Sequence, residues 1–438
     1  MFKTICNAFK VKEIRLGLLF TLFILVVIRF GSLIPVPCID AQAVKEYLES
    51  ALGDANSFIS SFTGGSFTQM SIFALNVTPY ITSSIIIQLL TIAIPALEEM
   101  QKDGEDGRKK ITAITRYVTI LLSVIESLGL AIGFDRGNYL TIDNKILAYL
   151  VVVITLTTGS ALVMWLGERV TDFGVGNGIS IILLINIVSR MPSDFSDLYV
   201  KFMKGKDIVH LVIAAAIIIA VIVVTVILVV LLQDGERKIP VQYAQKVQGR
   251  RMVGGQGSYI PLKVNTSSVI PVIFASSILS VPAVVMNLFS INASGTWAKI
   301  LQGMNSNYWF NTSYPFASIG LIVYILLVFF FAYFYTSVTF NPLEVANNMK
   351  KGGGFIPGVR PGKPTQDYLN RILNYIVFIG AVGLIIVALI PIFFNGMFGA
   401  DVSFGGTSLI IIVGVIIETI KQIESKMIVR NYSGFLID

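Results

Sequence analysis

Long apolar stretches recur along the chain, separated by polar intervals rich in Gly and Pro. Ten stand out, at about 16–34, 71–97, 111–133, 146–167, 178–191, 208–232, 267–291, 316–340, 372–394 and 405–423. Most approach the ~20 residues that cross a ~30 Å hydrocarbon core as a helix. The fifth is short. A bilayer interior offers backbone groups no outside partner, so each span must satisfy itself as a helix. The pattern therefore predicts an all-α polytopic membrane protein of ten transmembrane helices. They divide into two halves of five, at 1–191 and 208–438, with an outside loop at 192–207. An odd number per half turns the second upside down relative to the first. Inverted-repeat membrane proteins are built this way and work between their halves. The second span carries "PYITSSIII" (Pro79 to Ile87) and the seventh "PVIFASSIL" (Pro271 to Leu279), a faint internal echo.

Composition agrees. Of 438 residues, 54% are apolar and 13% charged, against roughly 25% charged in soluble domains, and the mean hydropathy is +0.77. The N-terminus is basic and then apolar, as a signal peptide is. Arg29 interrupts the apolar run and no small-residue cleavage site follows, so it reads as a retained first span. With charges near span ends counted in the adjoining loops, 24 of the 33 lysines and arginines fall on one side, 8 on the other, and Arg29 lies within a span. The excess places both termini in the cytoplasm. Cys6 and Cys38 then lie on opposite sides of the membrane, and no intrachain disulfide is expected.

Candidate catalytic chemistry is thin. The one histidine, His210, cannot assemble a metal site of three or four ligands or a Ser-His-Asp set. "GKPT" (Gly362 to Thr365) places Pro364 where a phosphate loop needs Ser or Thr, and "GVGNGIS" (Gly174 to Ser180) reads as a capped turn between spans. Glu126 is the acid set well inside a span, while Arg29 and Glu418 sit toward span ends. A lone carboxyl is poor equipment for ion coupling, and structural pairing is expected of it. Thus neither cofactor, metal nor enzyme activity is expected.

Mild polarity marks two spans instead: Thr82, Ser83, Ser84 and Gln88 on the second, Ser276, Ser277 and Ser280 on the seventh. Interhelical bonds of this kind contribute only about 0.6 kcal/mol each, so such a seam can part. Ordinary small-residue packing explains the serines equally well. Two inside loops, 233–264 and 341–371, are long, basic and punctuated by Gly and Pro. The first carries Arg250 and Arg251; the second carries Lys350, Lys351 and Arg360. Guanidinium forks suit carboxylate or phosphate, and two such projections on one face suggest a large acidic partner, RNA phosphates or an acidic protein surface. On the other side, "SFISSFTGGSFTQ" (Ser57 to Gln69) is too short to cross the bilayer. Phe58, Ile59 and Phe62 share a helical face, and Gly64-Gly65 would end the turn. It reads as a surface loop with one helical turn, or as a re-entrant helix in a cavity.

Eight blocks resemble the bacterial SecY family in register: "SIFALNVTPYITSSIIIQLL", "DGEDGRKKITAITRY", "MWLGERVTDFGVGNGISI", "QGRRM", "YIPLKVN", "VIPVIFASSI", "FNPLEVANNMKKGGGFIPGVRPG" and "FGGTSLIIIV". The resemblance covers essentially the whole chain and implies a protein-conducting channel with two inverted halves hinged at 192–207. It implies a pore ring of Val77, Ile81, Ile179, Leu183, Ile273 and Ile411, and a plug at about 55–69 bearing Phe58, Ile59, Phe62, Gly64 and Gly65. A lateral gate would lie between the second and seventh spans, marked by Thr82, Gln88, Asn265 and Ser277. Arg250, Arg251, Lys350, Lys351 and Arg360 would dock the SecA ATPase or the ribosome and its rRNA. Further implied partners are SecE, SecG, SecDF, YidC, signal sequences, nascent chains and lipids of the bacterial inner membrane.

Overall fold

A computed structural model describes residues 9–46, 63–142, 144–204, 208–243, 246–248, 251–253, 258–267, 269–288, 300, 303–304, 309–310, 318–398 and 406–433. Each of the ten expected spans is a helix: α1 (Lys12–Gly31), α2 (Thr78–Ala93), α4 (Glu105–Arg136), α5 (Lys145–Phe173), α6 (Gly178–Phe202), α7 (Ile208–Asp234), α8 (Ile270–Leu288), α9 (Ser318–Thr339), α11 (Lys363–Phe398) and α12 (Gly406–Ser433). Two shorter helices, α3 (Pro95–Lys102) and α10 (Pro342–Lys351), lie outside the spans. By length and composition alone, seven of the described helices qualify to cross a membrane, and eight if the bent pair of α2 and α3 is one span.

Two expectations are corrected. The second span does not run over 71–97. Ser71–Val77 is a series of turns with Asn76 in the left-handed region (φ 48°), and α2 starts only where Pro79 opens it. At its far end Pro95 pushes Ile94 into an extended conformation, and the chain bends by 104° into α3. Nor is the fifth span short. α6 runs on through Pro192 to Phe202, so most of the loop expected at 192–207 is helix. Proline removes one backbone bond, and the Arg190–Asp194 pair one turn apart (3.6 Å) bridges that stretch. The fold is mostly helical, as expected, and short strands add to it in the loops. The loop after α7 forms β1 (Glu236–Tyr243), β2 (Lys246–Gln248), β3 (Arg251–Val253) and β4 (Ser258–Lys263), and the loop after α10 adds β5 (Gly354–Phe355).

α1 to α6 form one half and α7 to α12 the other. In the first, α4 packs along α2 and α5, and α5 along α6 and α1. Arg116 Nε binds Glu168 Oε1 at 2.7 Å, tying α4 to α5, and the hydroxyls of Ser83 and Thr119 meet at 2.5 Å between α2 and α4. In the second half, α8 packs on α9, α9 on α11, and α7 on both α11 and α12. Across the halves, α12 lies along α6, while α8 meets α4 in a thinner contact.

Candidate functional site: an apolar collar between the halves and a platform beside it

The turn between α5 and α6 is specified locally. Gly176 takes φ 81°, a conformation free of penalty only for glycine. Asn177 then caps α6, its Oδ1 accepting from the N–H groups of Ile179 and Ser180 at 3.1 and 3.4 Å. That start places Ile179 and Leu183 one turn apart on α6, with Ile179 Cδ1 against Gly167 of α5. Val77, Ile81, Ile179, Leu183, Ile273 and Ile411 all join one apolar cluster, to which both halves contribute. Val77, Leu183 and Ile411 are buried in it, whereas Ile81, Ile179 and Ile273 are half-buried. A collar of branched aliphatics offers water and ions no ligand, and constrictions of this kind seal by dewetting.

The segment Thr63–Met70, part of the expected plug, packs within the first half in a second apolar cluster. Thr63, Ser66, Phe67 and Met70 are buried, the last two packed with Val36, Ile39 and Leu156. Gly64 and Gly65 take φ 64° and 83°. Gly64 is enclosed: a Cβ there would stand 2.6 Å from the Arg29 guanidinium and 3.0 Å from Asn186 Cα. Arg29 donates to the Gly64 carbonyl through both terminal nitrogens, at 3.5 and 3.4 Å. A charge in apolar surroundings needs such an acceptor, so this arginine holds a backbone rather than reaching for the interface. Phe58, Ile59 and Phe62 lie outside the described residues.

The polar seam expected between α2 and α8 is only partly assembled. Ser83 turns instead to Thr119 within its own half. Thr82 is exposed and bonds its own helix at Thr78 O (3.1 Å), and Gln88 is exposed. Asn265 is only 5% exposed, with no hydrogen-bond partner for either amide atom among the described residues. The Ser277 side chain lies outside the described residues. Glu126 has no ion-pair partner among the described residues.

The two basic loops, read as separate projections, are joined. β1 pairs antiparallel with β4 along Glu236–Val241 and with β5 at Gln242–Phe355 and Tyr243–Gly354. A side chain at Gly354 would collide with the Tyr243 ring, 2.8 Å away. Ile239, Val241 and Leu262 face Met349, Ile356, Leu369 and Ile372, which fastens the sheet to α10 and the start of α11. Asn341 caps α10 through the N–H groups of Leu343 and Glu344. Lys350, Lys351 and Arg360 are exposed on this platform. Arg251 lies on β3, paired with Gln248, and Arg250 lies outside the described residues. Lys238 sits 3.2 Å from Glu236 and over the Tyr259 ring. The bond to Glu236, helped by Tyr259, holds its ammonium above the ordinary lysine range.

Arg29, Asn76 and Asn186 had not stood out among the functional candidates. The available signal for Asn76 was an Asn three residues before a helix-opening Pro, which favours a left-handed turn.

A SecY family model matches residues 71–420. Relatives named protein translocase subunit SecY, from Streptomyces scabiei and Bacillus subtilis strain 168, are 44% and 42% identical over the full length of both chains. A solved structure described as a protein conducting channel superposes with a TM-score of 0.60 at 19% identity, covering 95% of this chain and 94% of its own. Sec61 from the canine ribosome–channel complex of the endoplasmic reticulum gives 0.59 at the same identity and coverage.

Proposed function

The chain belongs to the SecY family of protein translocase subunits, and from that premise we propose how its parts divide the work of a gated polypeptide channel. The collar of Val77, Ile81, Ile179, Leu183, Ile273 and Ile411 is the constriction that an unfolded chain passes. The observation that carries this reading is their convergence, from four separate stretches and both halves, on one apolar cluster. Such a collar deforms around any side chain without offering it a fixed partner. Residues 55–69 form the plug that closes it at rest. The halves part between α2 and α8, where hydrophobic segments meet lipid and partition sideways. The remaining connection at the α6–α7 turn is the hinge.

The platform is the dock, with its cations facing the cytoplasm alongside both termini. Arg251, Lys350, Lys351 and Arg360 suit the acidic surface of a SecA motor or the phosphates of rRNA. The sheet that joins the two loops gives the dock a rigid base on α11. SecE and SecG complete the channel in a bacterial inner membrane, and the driving energy comes from whatever is docked.

The test places a cysteine at Ile273, in a background lacking Cys6 and Cys38, and arrests a preprotein midway through SecA-driven export. Crosslinks from successive preprotein positions to residue 273 are the expected result. Efficient export with no contact there would overturn the assignment of the collar.

A further inference from the structure

Thr63, in the plug, and Val77, the first member of the collar, stand fourteen positions apart in the chain, and one buried side chain bridges them. Asn76 is 0% exposed with φ 48°. Its Nδ2 donates to the Thr63 carbonyl at 3.5 Å, and its Oδ1 accepts from the Val77 N–H at 2.9 Å. Its own carbonyl accepts from Ser160 Oγ of α5 at 3.0 Å, anchoring the residue to the body of the first half. The next plug residue, Gly64, is held by Arg29 and lies close against Asn186. Glycine meets this φ without strain, so the backbone alone does not require an amide. What the amide adds is the pair of bonds, one to the plug end and one to the collar.

We propose that Asn76 is a positioning residue that couples plug seating to the collar. With the plug seated, the Thr63 carbonyl fixes the amide plane, and that plane fixes the N–H of Val77 and the first turn of α2. When the plug leaves, Nδ2 loses its acceptor, and Val77 is freed to swing. Coupling is reciprocal: a polypeptide that pushes Val77 aside also weakens the hold on Thr63. Arg29 adds a second hold at Gly64, so the plug base is gripped from both α1 and the turn before α2. This inference rests on the collar and plug assignments above.

The experiment measures resting ion flux through the assembled complex in proteoliposomes, with deletion of residues 55–69 as the reference. Asn76→Gly keeps the φ and removes both side-chain bonds. Asn76→Asp keeps the acceptor for Val77 and lacks the donor for Thr63. Both are expected to raise resting flux about three- to tenfold, the factor carried by one lost hydrogen bond, while SecA-driven export of a normal preprotein continues. Leak in Asn76→Gly alone, with Asn76→Asp sealed, would reduce Asn76 to a local cap and overturn the coupling. Both variants sealed, with the deletion leaky, would overturn it too and leave the plug in place. No leak from the deletion itself would remove the plug assignment and the coupling together. Continued export by each variant shows that it has folded, which keeps a rise in flux from being mistaken for collapse.

Discussion

The two halves of the molecule meet along two seams of different construction. On the side of α6 and α12 the joint is made like a protein core. Leu183 and Ile411 are 9% and 3% exposed, Gly176 brings the α5–α6 turn against Thr419, and Lys426 donates to the Gly174 carbonyl at 3.3 Å. On the side of α2, α4 and α8, contact runs mainly through α4. There Ile81 and Ile273 are half-buried, Ser83 bonds within its own half, and the Asn265 amide is unpartnered among the described residues. One apolar collar thus has a joint on one flank and an opening on the other. Parting surfaces forfeits their packing contacts, so the halves will separate where least is packed.

The largest expected effect tests that asymmetry inside the collar. Ile411→Ala leaves a cavity in the well-packed flank and is expected to lower stability by about 2–4 kcal/mol, read as a fall in the melting temperature of the purified complex. Ile273→Ala removes similar volume from a half-buried site and should cost less than about half as much. Its signature is raised resting ion flux with a melting temperature close to the parent's. Equal destabilisation by the two changes would mean that both flanks are packed alike, and the seams would lose their distinction.

A smaller effect is expected at the tight seam's own turn. At Gly176 a Cβ would stand 2.9 Å from both Ile181 Cδ1 and Thr419 Oγ1, on a backbone with φ 81°. Gly176→Val therefore combines backbone strain of about 1–3 kcal/mol with a wedge between α6 and α12. The complex should melt earlier, and lateral release of hydrophobic segments on the α8 side should be unchanged. Loss of lateral release without loss of stability would make the α6–α12 flank the moving one.

Much of this was legible in the chain. Ten apolar stretches became ten helices, because hydropathy reports burial in lipid directly. Span boundaries were legible only where local chemistry was unambiguous, as at Asn177. The second span starts late because Asn76 is left-handed, and the fifth runs past Pro192; neither depends on hydropathy. The strands were missed because "ERKIPVQY" and "SYIPLK" are short and mostly polar on one face. Their pairing across a wide gap is decided by the apolar face of α11, not by either segment. The collar residues came from resemblance, since an isoleucine facing a pore and one facing lipid read identically in sequence. Arg29 showed the converse. Its charge was visible, but its acceptor is a backbone carbonyl, and carbonyls carry no sequence signal.

The smallest expected effect asks whether the platform reports to one seam or to both. β4 runs directly into α8 through Val264, whose N–H bonds Gly235 O at 2.8 Å. Gly380 of α11 lies so close to the Val264 carbonyl that a Cβ would meet it at 2.3 Å. α12 reaches the same junction only through the exposed Lys421–Asp234 ion pair at 2.9 Å, a weaker tie than backbone packing. Asn341→Ala removes the cap of α10 and should loosen the platform by about 1 kcal/mol. Hydrogen exchange is then expected to quicken in α10, in β5 and in the first turn of α8, with α12 unchanged. An equal rise in α12 would mean that docking forces spread through the whole second half. A rise confined to α8 would make the loosely packed seam the one that a docked motor moves, because it is the seam whose helix hangs from the dock.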